Sequence, residues 1–337
     1  MGRLITGMEL VELCEDLEDE KEDVRERALE ALVEAKKGDE EAILEVCAHL
    51  EHLHPEVRRA AVVAIAYVAE PGDQCALGQV RSRLRHWFPN IRRAAIEALA
   101  QVAEQNDETA IADVMELLTD QHADVRRAAV EALAQIVKKG NVSAVTKVVS
   151  RLDHPEPTIR RTAVQALCQI VFRGDKNAMT TLFANLDHGL PEIRQTALEA
   201  LGYVSKRNDQ QVIAKVTACM EDLHPDVRRQ AAQTLGRIVE EGNVDVLAAL
   251  EPHVDVGRAD VKRAVCDAVK ALTPEGQTTT VGSQWPNTIA GPWSKLEELE
   301  AATRGFMRVE DIAPSNIGEF GNLGALAKAV GNTKKKG

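Results

Sequence analysis

Residues 124–133, DVRRAAVEAL, belong to a pattern that recurs along most of the chain and decides its fold. Its eight copies are DVRERALEAL (23–32), EVRRAAVVAI (56–65), NIRRAAIEAL (90–99), DVRRAAVEAL (124–133), TIRRTAVQAL (158–167), EIRQTALEAL (192–201), DVRRQAAQTL (226–235) and DVKRAVCDAV (260–269). The first apolar residue of each copy, here called the anchor, recurs at a constant spacing, except that the first step is shorter by one residue. A constant period of about 34 residues indicates a repeat architecture in which each copy is one supersecondary unit.

A second set of recurring positions divides each copy into two helices. Asp or Asn recurs with the same period just before an apolar run, where its side chain can accept hydrogen bonds from the free N–H groups that open a helix. Gly or Asn precedes it, and both tolerate the left-handed conformation that closes the preceding helix. The first helix of a copy is expected to extend, for example, over residues 141–152. The predicted capping residues are Asp39, Asp73, Asp107, Asn141, Asp175, Asp209 and Asn243.

The apolar pattern of the second helix predicts how the copies pack. Apolar residues stand at the anchor and 4, 5, 8 and 11 positions later, with Ala at most of the positions 4 and 7 after it. Such a helix buries more than one face, and a single helix pair cannot cover that surface, whereas stacked pairs can. We therefore expect an all-α fold, a right-handed α-solenoid of eight two-helix repeats over residues 6–276. Residues 277–337 are predicted to be an irregular C-terminal tail with one short helix, because Pro and Gly interrupt the pattern there.

The consensus L-x-D/H-x-x-P-D/E-V-R-R-x-A-x-x-A-L resembles HEAT repeats, in particular the short repeats of phycobiliprotein-lyase-like proteins, over about four fifths of the chain. The resemblance implies an armadillo-like solenoid whose inner surface is lined by the second helices. Most HEAT proteins are scaffolds or adaptors. A minority are enzymes that act on tetrapyrroles or on damaged DNA.

Composition narrows the classes of partner. The 337 residues carry 41 Lys+Arg and 53 Asp+Glu, a net charge of −12, which disfavours nucleic acid and anionic membranes as partners. No apolar stretch is long enough to span a membrane, and MGRLITGMEL lacks the apolar core of a secretory signal. The six cysteines are scattered, without the spacing of a zinc site. We expect an intracellular, cytoplasmic protein with no cofactor and no metal.

Arg follows almost every anchor, and His recurs in the turn between the two helices of a copy. The arginines are expected to form a ladder with Asp or Glu of the turns, since a cation in the first turn of a helix needs an offsetting anion. An anion-binding groove is the alternative. The turn histidines are expected to replace ladder aspartates, with a pH-responsive ridge as the alternative. The arginines are Arg25, Arg58, Arg92, Arg126, Arg160, Arg194 and Arg228; the histidines are His52, His54, His86, His122, His154, His188 and His224.

A polar stripe on the second helices offers a candidate binding surface. Gln and Tyr side chains facing the inner curve provide hydrogen-bond donors, acceptors and stacking area for a partner protein. A merely solvated face is the alternative. The stripe position farthest from the anchor holds Tyr67, Gln101, Gln135, Gln169, Tyr203 and Arg237 in successive copies.

Four aromatic residues complete the predicted partner-binding set. Trp87 and Phe88 interrupt an otherwise polar turn, so they are expected either to anchor a partner or to fold back onto the next repeat. Trp285 and Trp293 lie in the tail, which is too aromatic for a plain linker and is expected to dock on its own solenoid or on another subunit.

The sequence shows no nucleophile–base pair, phosphate-binding loop or dinucleotide fingerprint. We therefore expect a non-catalytic scaffold or adaptor that binds one or more proteins within a multisubunit complex, and that neither binds nucleic acid nor enters a membrane. The alternative is an enzyme or chaperone of the phycobilin-lyase-like class, which would need a pigment pocket. A DNA-acting HEAT enzyme conflicts with the acidity of the chain.

Overall fold

The computed structural model describes residues 7–33, 37–253 and 258–273. These residues contain sixteen α-helices and no β-strand, so the expected eight helix pairs are present. The first helices of the pairs are α1 (Gly7–Leu17), α3 (Glu40–Ala48), α5 (Gln74–Arg83), α7 (Glu108–Leu117), α9 (Val142–Val149), α11 (Lys176–Leu186), α13 (Gln210–Ala218) and α15 (Val244–Leu250). The second helices are α2 (Glu22–Val33), α4 (Pro55–Val68), α6 (Pro89–Val102), α8 (Ala123–Ile136), α10 (Pro157–Ile170), α12 (Pro191–Val204), α14 (Pro225–Ile238) and α16 (Ala259–Leu272).

The seven predicted capping residues each cap a first helix through the side chain. Asp107, for example, accepts hydrogen bonds from the N–H groups of Thr109 at 2.8 Å and Ala110 at 3.1 Å. The residue before each cap has a positive φ, as in Asn106 with φ 65° and Gly140 with φ 81°. The sequence prediction of where the first helices begin is therefore confirmed from α3 to α15.

The residue before each cap, which has a positive φ, also links its repeat to the next one. The N–H of Asn106 donates to the carbonyl of Ile136 at 2.8 Å, at the end of the following second helix. The same bond recurs at Gly38, Gly72, Gly140, Gly174, Asn208 and Gly242, with lengths of 2.7–2.8 Å. This backbone bond satisfies a carbonyl that would otherwise be free at the helix end.

Several first helices are shorter than the sequence predicts. The helix expected over residues 141–152 ends at Val149, and turn bonds from Arg151 to Val148 and from Leu152 to Val149 follow it. These i→i+3 bonds tighten the chain into the turn that leads to the second helix. In the last repeat α15 has only seven residues, and Pro252 lies in the 3₁₀ turn that follows it.

The core is continuous along the stack. In α8, Val125, Ala129, Leu133 and Ile136 are buried. At every step along the chain, the second helices contact each other more extensively than the first helices do. The second helices are therefore the more closely packed set, as expected of helices that line the inner side of a solenoid. Their close approach is clearest at Gly236, where an added Cβ would lie 3.3 Å from Cα of Ala268.

The predicted tail falls outside the described residues. The domain boundary at residue 276, the short tail helix, and the partner-binding candidates Trp285 and Trp293 thus remain predictions from the sequence.

Candidate partner-binding surface

The arginine that follows each anchor clamps the turn of its own repeat. Arg58 donates from Nη1 to the carbonyls of His52 at 2.6 Å and Leu53 at 2.8 Å. The same pair of bonds, to the residues six and five positions earlier, is made by Arg25, Arg92, Arg126, Arg160, Arg194 and Arg228. The turn carbonyls thus supply the negative partner that the helix dipole makes necessary.

The expected ladder of acidic partners is only partly present. Within the described residues, two of these seven arginines form an ion pair with the next repeat: Arg92 with Asp120 and Arg194 with Asp222. Arg160 instead reaches the hydroxyl of Thr196 at 3.3 Å. The expected ladder is therefore confirmed for Arg92 and Arg194 only, because His86, His154 and His188 stand where Arg58, Arg126 and Arg160 would meet the aspartate of the next repeat.

The two ion pairs hold their carboxylates in the charged form. Burial favours the neutral form of Asp120, but hydrogen bonds from Arg92 and from the N–H of His122 outweigh burial and keep the pKa of Asp120 below its ordinary value. The same balance, with Arg194 and the N–H of His224, keeps the pKa of Asp222 low. Both pairs therefore stabilise the contact between repeats at neutral pH.

The turn histidines take over one role of the ladder aspartates. The Nδ1 atoms of His52, His86, His154 and His188 each accept a hydrogen bond of 3.1 Å from the N–H two residues later. Asp120 makes the equivalent bond through Oδ1 to the N–H of His122 at 2.8 Å. A neutral imidazole can therefore close the turn, but it supplies no anion to the arginine of the preceding repeat. The Nε atoms of Arg58 and Arg126 are buried without a hydrogen-bond partner among the described residues. A pH-responsive ridge stays a prediction.

The Gln and Tyr stripe occupies one position on six successive second helices. Gln101, Gln135 and Gln169 are exposed, and their side chains make no hydrogen bond to another described residue. Tyr67, Tyr203 and Arg237 are half-buried. The Arg237 guanidinium carbon lies 4.8 Å from the centre of the Tyr203 ring, a cation–π contact. Burial raises the pKa of Tyr67, so its hydroxyl stays protonated and can donate a hydrogen bond.

The charged residues beside this stripe largely neutralise each other. Arg93 Nε lies 3.4 Å from Glu97, and Arg127 lies 2.8 Å from Asp124. Burial raises the pKa of Glu97 against the opposing effect of Arg93. The inner side therefore presents paired charges and neutral amides rather than a positive groove.

Trp87 and Phe88 lie in the turn between α5 and α6, at an edge of the stack and not on the inner side. Trp87 is 92% exposed and Phe88 is 65% exposed, so neither packs onto the next repeat. The structure adds Leu53, which is 90% exposed, Leu223, which is 97% exposed, and the exposed Leu190, all in equivalent turns. The sequence could have indicated them, since they occupy the same two turn positions as Trp87 and Phe88.

A groove of about 340 Å³ lies between α5 and α7. Its charged lining residues pair across it: Arg81 with Asp113 at 2.8 Å and Arg85 with Glu116 at 3.0 Å. Among residues 7–33, 37–253 and 258–273, no group of three or more His, Cys, Asp or Glu side chains could hold a metal ion. In the same part of the chain, no helix is both long enough and apolar enough to cross a membrane.

Comparison with known proteins identifies the repeat. The model of the HEAT repeats family matches residues 77–168 and 179–270. A crystal structure of a Kap121p mutant is 15% identical over 81% of this chain and 34% of that chain, with a TM-score of 0.56, and shares the fold. The structure of human deoxyhypusine hydroxylase in complex with glycerol is 19% identical over 79% of this chain and 96% of that chain, but its TM-score is only 0.31. No curated protein sequence matches the chain. The family match covers more than half of the chain, which therefore belongs to the HEAT-repeat family of α-solenoid proteins.

Proposed function

We propose that this protein is a non-catalytic scaffold that binds one or more partner proteins along its inner helix surface, within a multisubunit complex. The C-terminal tail, with Trp285 and Trp293, supplies a second contact. One observation carries the proposal: Gln101, Gln135 and Gln169 form an exposed row whose side chains make no hydrogen bond to another described residue. The recurring arginines, by contrast, hold the fold together.

The spacing of this row suits a polypeptide ligand. Packed helices lie about 8–10 Å apart, and an extended chain advances about 3.3 Å per residue. One glutamine would therefore meet the backbone of an extended partner about every third residue. Each amide offers both donors and an acceptor, so it can pair with the N–H and C=O groups of a main chain of any sequence.

Both ends of the row add side chains suited to anchoring. Tyr67 stands before the three glutamines, and the Tyr203–Arg237 pair follows them, one position per repeat. Tyr and Arg are enriched where interfaces concentrate their binding energy. The cation–π contact limits the freedom of both side chains before a partner arrives, which lowers the entropy cost of binding.

The charges argue against nucleic acid as the partner. Phosphate binding needs cations that are free to replace counterions. On the inner side Arg59, Arg93 and Arg127 already pair with acidic side chains of their own helices, and the chain carries a net charge of −12.

A substitution of the row tests the proposal. Gln101, Gln135 and Gln169 are replaced together by Ala, and partners are identified by crosslinking mass spectrometry from native extract. The control replaces Gln74, Gln210 and Gln211, which are exposed on first helices. We expect the inner-row variant, and not the control, to lose the stoichiometric partner while keeping its helicity. Equal recovery from both variants would contradict the proposal, as would visible absorbance of a bound bilin.

A further inference from the structure

Three large apolar side chains stand out at one edge of the second and third repeats: Leu53, Trp87 and Phe88, here called the edge patch. Leu53 and Trp87 are each at least 90% exposed. Leu53 and Trp87 occupy equivalent positions in successive turns. These turns lie side by side, since Oε1 of Glu51 is 2.9 Å from Nε of Arg83. Neighbouring exposed apolar groups of this size are uncommon unless they serve an interaction.

The backbone that carries the edge patch is held firmly. Arg58 donates to the carbonyl of Leu53 at 2.8 Å, and Arg92 donates to the carbonyl of Trp87 at 3.1 Å. The N–H of Phe88 donates to Nδ1 of His86 at 3.1 Å. The apolar side chains are therefore presented from fixed turns, and a partner need not order the backbone when it binds.

The charge on the N-terminal side of the edge patch is strongly negative, whereas the arginines just before Trp87, namely Arg81, Arg83 and Arg85, are paired with Asp113, Glu51 and Glu116. Residues 7–33 hold eleven acidic and three basic side chains. Their turn lies next to the turn of Leu53, since Glu18 Oε1 is 3.2 Å from Nε2 of His49 and 3.8 Å from Nε2 of His52. Glu15, Asp16 and Glu20 of this first repeat are exposed. Negative potential therefore borders the patch on its N-terminal side.

We propose that the edge patch and the acidic first repeat together bind one basic, amphipathic segment of a partner protein. Apolar side chains of that segment cover Leu53, Trp87 and Phe88, and its Lys and Arg residues face Glu15, Asp16 and Glu20. This inference rests on the proposed scaffold function and specifies the chemistry of one partner. Single exposed ion pairs contribute little, but the summed field of the first repeat steers a basic segment to the patch.

The charges disfavour the two other occupants. A second copy of the chain carries the same net charge of −12, and like charges oppose such an interface. Residues 277–337 of the chain itself carry seven basic and six acidic side chains, so the net charge of the tail as a whole is only +1.

Binding of two synthetic peptides to the full chain tests the proposal. Both contain the same Leu and Phe residues in an amphipathic pattern, and the remaining positions are Lys in one and Glu in the other. Fluorescence anisotropy at physiological salt should show the Lys peptide binding at least about tenfold more tightly. Replacing Trp87 and Phe88 by Ala should weaken that binding about tenfold or more. The matched control replaces Leu190 and Leu223, exposed in equivalent turns of later repeats, and should change nothing.

Separate variants test how much the acidic residues of the first repeat contribute to peptide binding. Replacing Glu15 and Glu20 by Gln and Asp16 by Asn should weaken the Lys peptide severalfold, whereas neutralising Glu240, Glu241 and Asp245 near the last repeat should not. The proposal would be overturned if both peptides bound equally, or if each control variant lost as much peptide binding as its test variant. A dimer in light scattering that dissociates on Trp87→Ala/Phe88→Ala would assign the patch to a second copy, and peptide binding only after removal of residues 277–337 would assign it to the tail.

The outcomes separate this inference from the proposed function. If the inner-row variant keeps its native partner while the Lys peptide depends on Trp87 and Phe88, the inner-surface proposal fails and the edge-patch proposal stands. If the inner-row variant loses its partner while neither peptide binds, the inner-surface proposal stands and the edge-patch proposal fails.

Discussion

Arg92 of the third repeat holds Asp120 of the fourth through two parallel hydrogen bonds, from Nε at 2.8 Å and from Nη2 at 3.0 Å. Both side chains are only 9% exposed. The same guanidinium donates to the carbonyls of His86 and Trp87 in its own turn. One arginine therefore fixes the turn that carries Trp87 and fastens that turn to the next repeat.

Asp120→Asn tests the energy of this contact. The amide keeps an acceptor for the turn N–H but loses the charge-assisted pair with Arg92, so we expect the free energy of unfolding to fall by about 2 kcal/mol. Urea denaturation followed by circular dichroism measures the change. Asp124→Asn is the matched control, because Asp124 pairs with Arg127 at an exposed site. A loss in the control as large as in Asp120→Asn would contradict the assignment.

The two ion pairs should also make stability depend on pH. The pKa values of Asp120 and Asp222 lie below their ordinary value in the folded protein, so their contribution is fully present above the unfolded pKa and is lost as the pH falls through the folded one. The stability gap between the native chain and Asp120→Asn/Asp222→Asn should be constant above about pH 5 and should shrink below about pH 4. A gap that stays constant, or grows, into the acid range would exclude this linkage.

His86→Asp should stabilise the protein. His86 holds the same position relative to Arg58 that Asp120 holds relative to Arg92, one repeat later, and the buried Nε of Arg58 lacks a partner among the described residues. An aspartate there keeps the turn hydrogen bond and adds the missing anion, for an expected gain of about 1 kcal/mol. His86→Asn, which adds no charge, should change the urea midpoint little. Equal midpoints for the two variants would show that charge pairing is not what the turn lacks.

Replacing Asn106 by Gly should destabilise the protein less than replacing it by Ala. The φ of Asn106 is 65°, and its Oδ1 accepts hydrogen bonds from the N–H of Lys138 at 2.9 Å and from Nδ2 of Asn141 at 3.0 Å. Ala loses both bonds and strains the left-handed backbone by about 1–2 kcal/mol, whereas Gly loses only the bonds. Thermal unfolding should therefore rank native, Gly and Ala in descending order of stability. If the Asn106→Ala variant were at least as stable as the Asn106→Gly variant, the left-handed conformation would carry no cost at this position.

The sequence alone predicts where the first helices begin, because these starts depend on local chemistry. Asp39 through Asn243 cap first helices at the expected positions, since an N-cap hydrogen bond spans only two or three residues. The repeat period then implies the stacking, because the Ala-rich second helices can bury their faces only against copies of themselves.

The roles of the recurring polar residues depend on three-dimensional geometry. Arg58 binds two carbonyls of its own turn, which only the folded turn reveals, and it lacks a carboxylate because His86 holds the position that Asp120 holds for Arg92. The end of α9 at Val149 likewise reflects the tight turn required to reach the second helix. Hydrophobicity alone predicts burial of Leu53 and Leu223, and only the turn position that they share with Trp87 indicates that they are exposed.

Site-specific photo-crosslinking tests the inner-surface proposal most directly. A photoreactive amino acid is placed at position 135, in the centre of the glutamine row, or at position 211, which is exposed on the first helix α13. Irradiation in native extract followed by mass spectrometry identifies the adducts. A scaffold that binds its partner along the inner helices gives a stoichiometric partner adduct from position 135 and none from position 211. An adduct from position 211 alone, or equal adducts from both positions, would contradict the account.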